Sequence, residues 1–291
     1  MKRSMFKVQS STLDSKPRTS NLEPRTLIAE PFVRKLRSVM KKILLLIGII
    51  FLLAACGKKG PLISPEAFVP SPIADLKVEQ KGNAFVVCWT PPSREESGRP
   101  LKDLAGFLVF KREVLPPGED CEECPTAYRM LRDVDFEYLQ DVRRVGSSLC
   151  IFDYDLVEGQ TYQYKAISME KSGAASKDSN KIRRKYLQPV SGLTLKASSS
   201  PTGVLLEWTV PGHTIYGTVT GYNIYRRQFG GTMPLSAIND KPVQENHFED
   251  LTLEQGMHYQ YVVRAIIKVD GEAVESVPSN EVTGELSTPE Q

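Results

Sequence analysis

The chain has 291 residues, of which 41% are hydrophobic, 25% charged and 8% aromatic, so it has the composition of a soluble globular protein and enough length for two domains. The net charge of +2 is misleading, because the first 55 residues hold 11 Lys and Arg against 3 Asp and Glu, and the remainder holds 26 against 32. A mildly acidic body without a basic stripe excludes a nucleic-acid-binding protein.

Residues 1–39 are polar and basic, contain Pro, Ser and Thr, and show no sustained hydrophobic period. We therefore expect either an over-extended start, with translation truly beginning at Met40, or a disordered leader. In the first case the basic residues of this stretch have no function in the protein.

A signal segment is predicted at residues 40–55. Met40 and two lysines precede an apolar run from Ile43 to Ala55 that only Gly48 interrupts. At about 1.5 Å per residue the run spans roughly 20 Å, which is shorter than the roughly 30 Å hydrocarbon core of a bilayer. The run has no polar face and is followed by Gly and Pro residues, so a cleaved signal peptide fits better than a buried core helix.

The end of this segment, Leu53-Ala54-Ala55-Cys56, resembles the lipobox of bacterial lipoproteins. The resemblance implies that Cys56 receives a diacylglyceryl group and becomes the mature N-terminus. N-acylation would add a further chain, and several acyl chains anchor a protein stably where one does not. Because Gly57 replaces the Asp that retains such proteins at the inner membrane, the resemblance implies an outer-membrane lipoprotein that faces the periplasm or the cell surface.

The stretch from Cys56 to Leu62 also resembles the start of small lipoproteins that assist maturation of the lipopolysaccharide export machinery. This likeness covers seven residues, and a Pro-rich stretch follows it. We interpret residues 56–71 as a semi-rigid tether between the lipid and the first domain. An accessory role in outer-membrane or lipopolysaccharide-transport assembly stays open as an alternative.

From residue 72 onward the chain contains an internal repeat of roughly 100 residues. Leu76 aligns with Leu193, and further blocks recur in the same order: an apolar run that ends in Trp, a Gly-aromatic run, Leu-x2-Gly-x2-Tyr and Ser-x2-Ser-Asn. Each unit has about seven short β-rich runs separated by turn residues. The pattern predicts an all-β protein with two sandwiches, at residues 72–187 and 188–287, followed by a tail at 288–291.

These blocks resemble fibronectin type III domains, which are immunoglobulin-like sandwiches. The resemblance implies that Trp89 and Trp208 fill the space between the two sheets of their domains. It also implies that Tyr162 and Tyr259 form tyrosine corners, each bonded to backbone near the leucine of its motif. These aromatic residues are expected in the core and not in a cofactor site.

Four cysteines remain once Cys56 is lipidated, an even number that indicates two disulfides in an oxidising compartment. Cys88 and Cys150 each precede a residue that is predicted to point inward, so both should point outward. Their strands are neighbours in the fold that the resemblance implies, which predicts a Cys88–Cys150 disulfide. Cys121 and Cys124 should then close a small loop disulfide, with a redox or metal protein as the alternative use of this pair.

No catalytic motif is evident, because His213, His247 and His258 are not paired with a nucleophile in any known pattern. We therefore predict neither a catalytic residue nor a metal or cofactor site. Ile215 and Tyr216 lie in a Gly-containing loop, where they either contact a partner or fold back on the core. The sequence predicts a non-catalytic, lipid-anchored interaction or structural module, whose partner is an envelope protein or polysaccharide.

Overall fold

The structure is a computed structural model that describes residues 30–53, 68–124, 126–190, 192–210 and 217–288. The chain divides into two compact units, Met1–Leu62 and Ile63–Gln291. The described part of the first unit is one helix, α1 (Glu30–Leu53), and the described part of the second unit is built from β-strands.

Helix α1 contains most of the predicted signal segment but begins well before it. It starts at Glu30, so it includes residues 30–39 of the stretch that we interpret as an over-extended start or a disordered leader, and that interpretation stays a prediction. Straight-chain residues such as Lys35, Leu36 and Arg37 favour a helix even without a hydrophobic period. The apolar residues of its middle, such as Leu44, are exposed. Among the described residues, no helix combines the length and the hydrophobicity needed to cross a membrane.

The first sandwich has eight strands in two sheets. Its strands are β1 (Lys77–Lys81), β2 (Ala84–Trp89), β3 (Leu104–Glu113), β4 (Arg129–Asp135), β5 (Arg143–Val145), β6 (Ser148–Asp153), β7 (Thr161–Glu170) and β8 (Ile182–Lys185). One sheet has the order β1-β2-β6-β5 and the other β4-β3-β7-β8. Alternate residues of β2, β3 and β7 point between the sheets, where Phe85, Phe107 and Tyr164 are fully buried.

The second sandwich repeats this arrangement. Its strands are β9 (Thr194–Ser199), β10 (Val204–Thr209), β11 (Thr218–Gln228), β12 (His247–Asp250), β13 (Tyr259–Val269), β14 (Glu272–Glu275) and β15 (Val282–Gly284). One sheet has the order β12-β10-β9, and in the other β13 pairs with β11, β14 and β15. The prediction of an all-β protein with tandem sandwiches of the fibronectin type III kind is confirmed by this strand order.

The Ser-x2-Ser-Asn motif closes each sandwich through the same hydrogen bonds. Asn180 accepts a bond from the backbone N–H of Leu76 at 2.9 Å and donates to its carbonyl at 2.8 Å. Asn280 does the same with Leu195, at 2.8 and 2.9 Å. Leu76 is therefore equivalent to Leu195, and our alignment with Leu193 was wrong by two residues. A shift by two keeps the same face of a strand, so the alternating pattern could not reveal it.

The two sandwiches share one continuous sheet. Strand β14 pairs with β13 in its own sandwich and with β1 of the first, in a parallel register that places Gln80 opposite Val274 and Lys81 opposite Glu275. The sheet therefore runs from β11 through β13, β14, β1, β2 and β6 to β5. Main-chain pairing of this kind fixes the relative placement of the two sandwiches, because any rotation between them would break backbone hydrogen bonds.

Candidate functional site

The two tryptophans lie between the sheets of their sandwiches. Trp89 is 1% exposed and Trp208 is 3% exposed. Trp89 packs edge to face on Phe107 at 5.4 Å between ring centroids, and Trp208 packs on Tyr222 at 5.2 Å with the same interplanar angle of 64°. Both side chains are part of the cores of their sandwiches.

The two tyrosines of the Leu-x2-Gly-x2-Tyr motif bond to the backbone immediately after the motif leucine. The hydroxyl of Tyr162 accepts a hydrogen bond from Val157 N at 2.9 Å, and the hydroxyl of Tyr259 accepts one from Glu254 N at 3.3 Å. Burial raises the pKa of Tyr162, which therefore stays neutral at physiological pH. Both residues hold a turn against the start of a strand and have no geometry for chemistry.

The first sandwich contains a buried ion pair that the sequence analysis missed. Lys111 Nζ lies 2.7 Å from Asp153 Oδ2, and each side chain is only 1% exposed. The hydroxyl of Tyr164 donates to the same carboxylate at 2.6 Å. A buried charge pair that is fully hydrogen-bonded is a structural feature as often as a functional one, and this one has no access to solvent.

The second sandwich contains the equivalent trio. Arg226 Nη1 lies 2.6 Å from Asp250 Oδ2, and the hydroxyl of Tyr261 donates to that oxygen at 3.0 Å. Burial alone would raise the pKa of Asp250, but hydrogen bonds from Thr252 and Arg226 outweigh it and hold the pKa below its usual range. The repeat alignment of the basic residues Lys111 and Arg226 was the one sequence signal that could have revealed both trios.

Cys88 and Cys150 form a disulfide between β2 and β6. They lie directly opposite each other in the antiparallel register, with a Cα–Cα distance of 4.1 Å. Both point away from the main core, on the outer face of the sheet. They are nevertheless buried, because Leu235 from the segment between β11 and β12 packs over them. The second sandwich thus covers the disulfide of the first.

Cys121 and Cys124 form a second disulfide in the loop between β3 and β4, and this disulfide has no counterpart in the second sandwich, whose sequence contains no cysteine. Ion pairs hold this loop to the sheet: Arg112 contacts Asp120, and Glu122 lies 2.7 Å from Lys181. Glu122 also pairs with Arg183 at 2.8 Å and with Arg112 at 3.6 Å. The Lys181 ammonium, followed by Arg183, lowers the pKa of Glu122 to about 2. Within the described ranges, no group of three or more His, Cys, Asp or Glu side chains is placed to hold a metal ion.

Several predicted site residues lie outside the described residues: Cys56, Ile215, Tyr216 and His213. The lipidation and loop-binding predictions that rest on them stay predictions. The other two histidines lie apart on the surface of the second sandwich. His247 is in β12 opposite Glu207, and His258 Nδ1 lies 2.7 Å from Glu285 in an exposed pair.

The outer face of the first sandwich carries an apolar strip formed by Leu108, Met130 and Met169. Phe107 and Val109 point inward, so Leu108 between them points outward. Met130 is 55% exposed, and the groove along the strip has a volume of about 800 Å³. Acidic side chains line the same groove: Asp133, Asp135 and Glu170. An apolar strip with a charged rim is typical of a contact surface for another protein.

A buried polar network holds the junction between β1 and β14. Glu275 accepts hydrogen bonds from Lys81 Nζ at 3.0 Å, from the Tyr225 hydroxyl at 2.6 Å and from Asn223 Nδ2 at 2.5 Å. Its side chain is 10% exposed. Burial, followed by the Glu275 charge, raises the pKa of Tyr225, which therefore remains a donor. One carboxylate thus ties together three side chains from both sandwiches.

The segment that connects the two sandwiches, between β8 and β9, is hydrogen-bonded at the same junction. The Gln80 side chain donates to Leu187 O at 2.6 Å and accepts from Leu187 N at 3.1 Å. Gly82 has a φ of 61°, and its N–H donates to Glu275 O at 2.9 Å. A side chain at this position would lie 3.2 Å from Val277 Cα, so the close approach of the two backbones requires glycine.

No protein-family model matches the chain. Among solved structures, it is similar to the crystal structure of the FN1–FN3 domains of chicken CNTN1, with a TM-score of 0.33 and 17% sequence identity. The similarity covers 74% of this chain and 67% of that one.

Proposed function

We propose that this protein is a lipid-anchored, non-catalytic envelope protein that acts as an interaction or structural module. The observation that carries the proposal is the continuous sheet, in which β14 joins β13 to β1. Two sandwiches on a flexible linker would present their surfaces independently of each other. Two sandwiches that share a sheet present all their surfaces in one fixed arrangement, which is the property that a scaffold needs.

The proposed anchor is the lipid on Cys56, which would attach the protein to the outer membrane facing the periplasm or the cell surface. The lipobox-like residues 53–56 and the predicted signal segment at residues 40–55 support this assignment. Replacing the thiol by Cys56→Ser should leave an uncleaved precursor or a product that does not partition into detergent. The double variant Cys121→Ser/Cys124→Ser is the matched control, since it also replaces cysteine by serine but should mature normally. Normal processing and detergent partitioning of Cys56→Ser would refute the anchor.

The proposed contact surface is the apolar strip of Leu108, Met130 and Met169. Its acidic rim favours a partner that carries apolar side chains within a basic surface. A photo-crosslinking amino acid at position 130 should capture one defined partner in intact cells. The same probe at position 229 is the control, because Phe229 is also exposed, at 68%, but lies on the second sandwich. Identical products from both positions would contradict the assignment of this surface.

An accessory role in outer-membrane or lipopolysaccharide-transport assembly is the second candidate. The residues Cys56 to Leu62, which resemble the start of such accessory lipoproteins, favour it. The crosslinking experiment separates the two candidates, because an accessory protein would be captured on a component of the assembly machinery. A redox or metal role of Cys121 and Cys124 would instead appear as reversible changes in the free-thiol count or as bound metal in the isolated protein.

A further inference from the structure

A pocket of about 360 Å³ lies where the two sandwiches meet. Its walls come from β1, β5 and β6 of the first sandwich and from β11 and β13 of the second, and the segment 232–235 closes one side. This volume falls in the range of about 300 to 1,000 Å³ that is typical of small-molecule sites. It is large enough for a small head group and too small for a protein element.

The pocket is basic although the body of the protein is acidic. Among the described residues that line it, none is Asp or Glu. The cationic side chains that line it are Lys81, Arg143, Arg227 and Arg264. A concave site that concentrates one sign of charge attracts ions of the opposite sign, here anions.

Carboxylates behind the pocket wall neutralise only part of this charge. Glu275 lies 3.0 Å from Lys81 Nζ and 4.0 Å from Arg264 Nε. Glu281 lies 2.8 Å from Arg227 Nη2. The four cationic side chains are therefore paired with two carboxylates, which leaves an excess of two positive charges. A doubly charged anion would balance them.

The excess charge is held on arginines that differ in burial. Arg264 donates to Ser276 O at 2.7 Å, and burial lowers the pKa of its guanidinium. Arg143 is exposed at the rim and forms no ion pair with any of the described residues. One arginine is thus fixed and desolvated, and the other is free to close on a ligand.

Aromatic and apolar side chains lie beside these charges. The rings of Phe152 and Tyr154 are stacked, with centroids 5.7 Å apart and an interplanar angle of 11°. Met233 and Leu235 line the pocket from the second sandwich. Such surfaces favour a sugar ring or a hydrocarbon chain next to the anionic group.

We propose that this junction pocket binds a small phosphate-bearing ligand, with Arg143 and Arg264 on the phosphate and the Phe152–Tyr154 stack against the group that carries it. The proposal goes beyond the proposed function, since it depends neither on the lipid anchor nor on the apolar strip. Phosphate is favoured over a single carboxylate because its second charge matches the excess of two positive charges in the pocket.

The test is a calorimetric titration of the full chain in non-ionic detergent with inorganic phosphate and with pyrophosphate. We expect saturable binding that Arg143→Gln weakens by about tenfold, as the loss of one charge-assisted hydrogen bond predicts. Arg143 is exposed, so this variant should keep its fold. Arg144→Gln is the matched control, because Arg144 is the exposed neighbour on β5 but does not line the pocket, and its affinity should be unchanged.

Three outcomes would overturn the proposal: no saturable binding, equal weakening by Arg143→Gln and Arg144→Gln, or equal affinity for succinate and pyrophosphate. The source of the phosphate is distinguished by comparing glycerol phosphate with short-chain phosphatidic acid below its critical micelle concentration. Tighter binding of the lipid, lost in Tyr154→Ser, would identify a lipid head group. Equal binding of the two compounds would identify a soluble phosphate or sugar phosphate.

Discussion

The second strands of the two sandwiches have equivalent positions but different surroundings. Every residue of β2 is buried, whereas β10 alternates between buried residues and residues that are partly or fully exposed. Leu235 packs against the outer face of β2, and β1 connects the edge of β2 to β14. The outer face of β10 instead carries the exposed Glu207. Strand β2 is therefore buried on both faces at the junction, whereas its counterpart β10 is buried on one face, and the two sequences differ accordingly.

The buried ion pairs allow the largest test of this difference. Lys111→Met should destabilise the first sandwich by about 3 to 5 kcal/mol, because it leaves the buried Asp153 charge without its cationic partner. Arg226→Met should cost less, because Arg226 is 21% exposed and Asp250 keeps its bonds to Thr252. Urea unfolding of each full-length variant measures both values.

The control for this comparison is Lys111→Met/Asp153→Asn, which removes both charges. It should recover much of the loss, because it leaves a buried amide instead of a buried charge. Equal destabilisation by Lys111→Met and Arg226→Met would contradict the difference in burial between the two sandwiches.

The interstrand disulfide gives the next largest effect. Cys88→Ala/Cys150→Ala should destabilise the first sandwich by about 4 kcal/mol, since the bond closes a loop with a sequence separation of 62. The Cys121–Cys124 disulfide closes a loop with a sequence separation of 3, so Cys121→Ala/Cys124→Ala should cost about 2 kcal/mol or less. Thermal unfolding with and without reductant measures both. If the order of the two effects is reversed, the first disulfide does not stabilise the sandwich as its position indicates.

The smallest effect concerns the disulfide-containing loop between β3 and β4 of the first sandwich. The pKa of Glu122 is lowered from 4.5 to about 2, so its charged form stabilises the loop contact above pH 4.5, and this contribution is lost as the pH falls through about 2. Glu122→Gln should cost about 1 kcal/mol or less at neutral pH and remove this acid transition, as followed by NMR of the loop amides. Glu123→Gln is the control, since Glu123 contacts the same Lys181 but is 87% exposed.

Most of the fold could be predicted from the sequence, because the repeat gave the same strand pattern twice. Features within one repeat, such as Trp89 in the core and the face of β2 that carries Cys88, follow from a period of two. Features between repeats did not follow, because β14 is a short strand after Asp270-Gly271 that reads as half of an ordinary hairpin. Its second edge joins β1, and no local pattern encodes the partner of a free edge.

The candidate site illustrates the same limit. Lys81, Arg143 and Arg264 are far apart in the sequence and look like ordinary surface charges on separate strands. They meet only because the sheet is continuous across the junction. The buried Lys–Asp–Tyr and Arg–Asp–Tyr trios were missed for a related reason. An aspartate at a strand end is usually solvated, and only the packing of the folded chain shows that Asp153 is buried.

The cover that Leu235 places over Cys88 and Cys150 has a consequence for the order of assembly. A ribosome delivers the first sandwich before the second, and domains of this kind fold as units in that order. Thiol oxidases need access to the sulfur atoms, and docking of the second sandwich narrows this access, because Leu235 packs against the cluster of Val86, Cys88 and Cys150. Oxidation should therefore be fastest while the second half of the chain is still unattached, and a delay would leave the reduced thiols partly shielded at the junction.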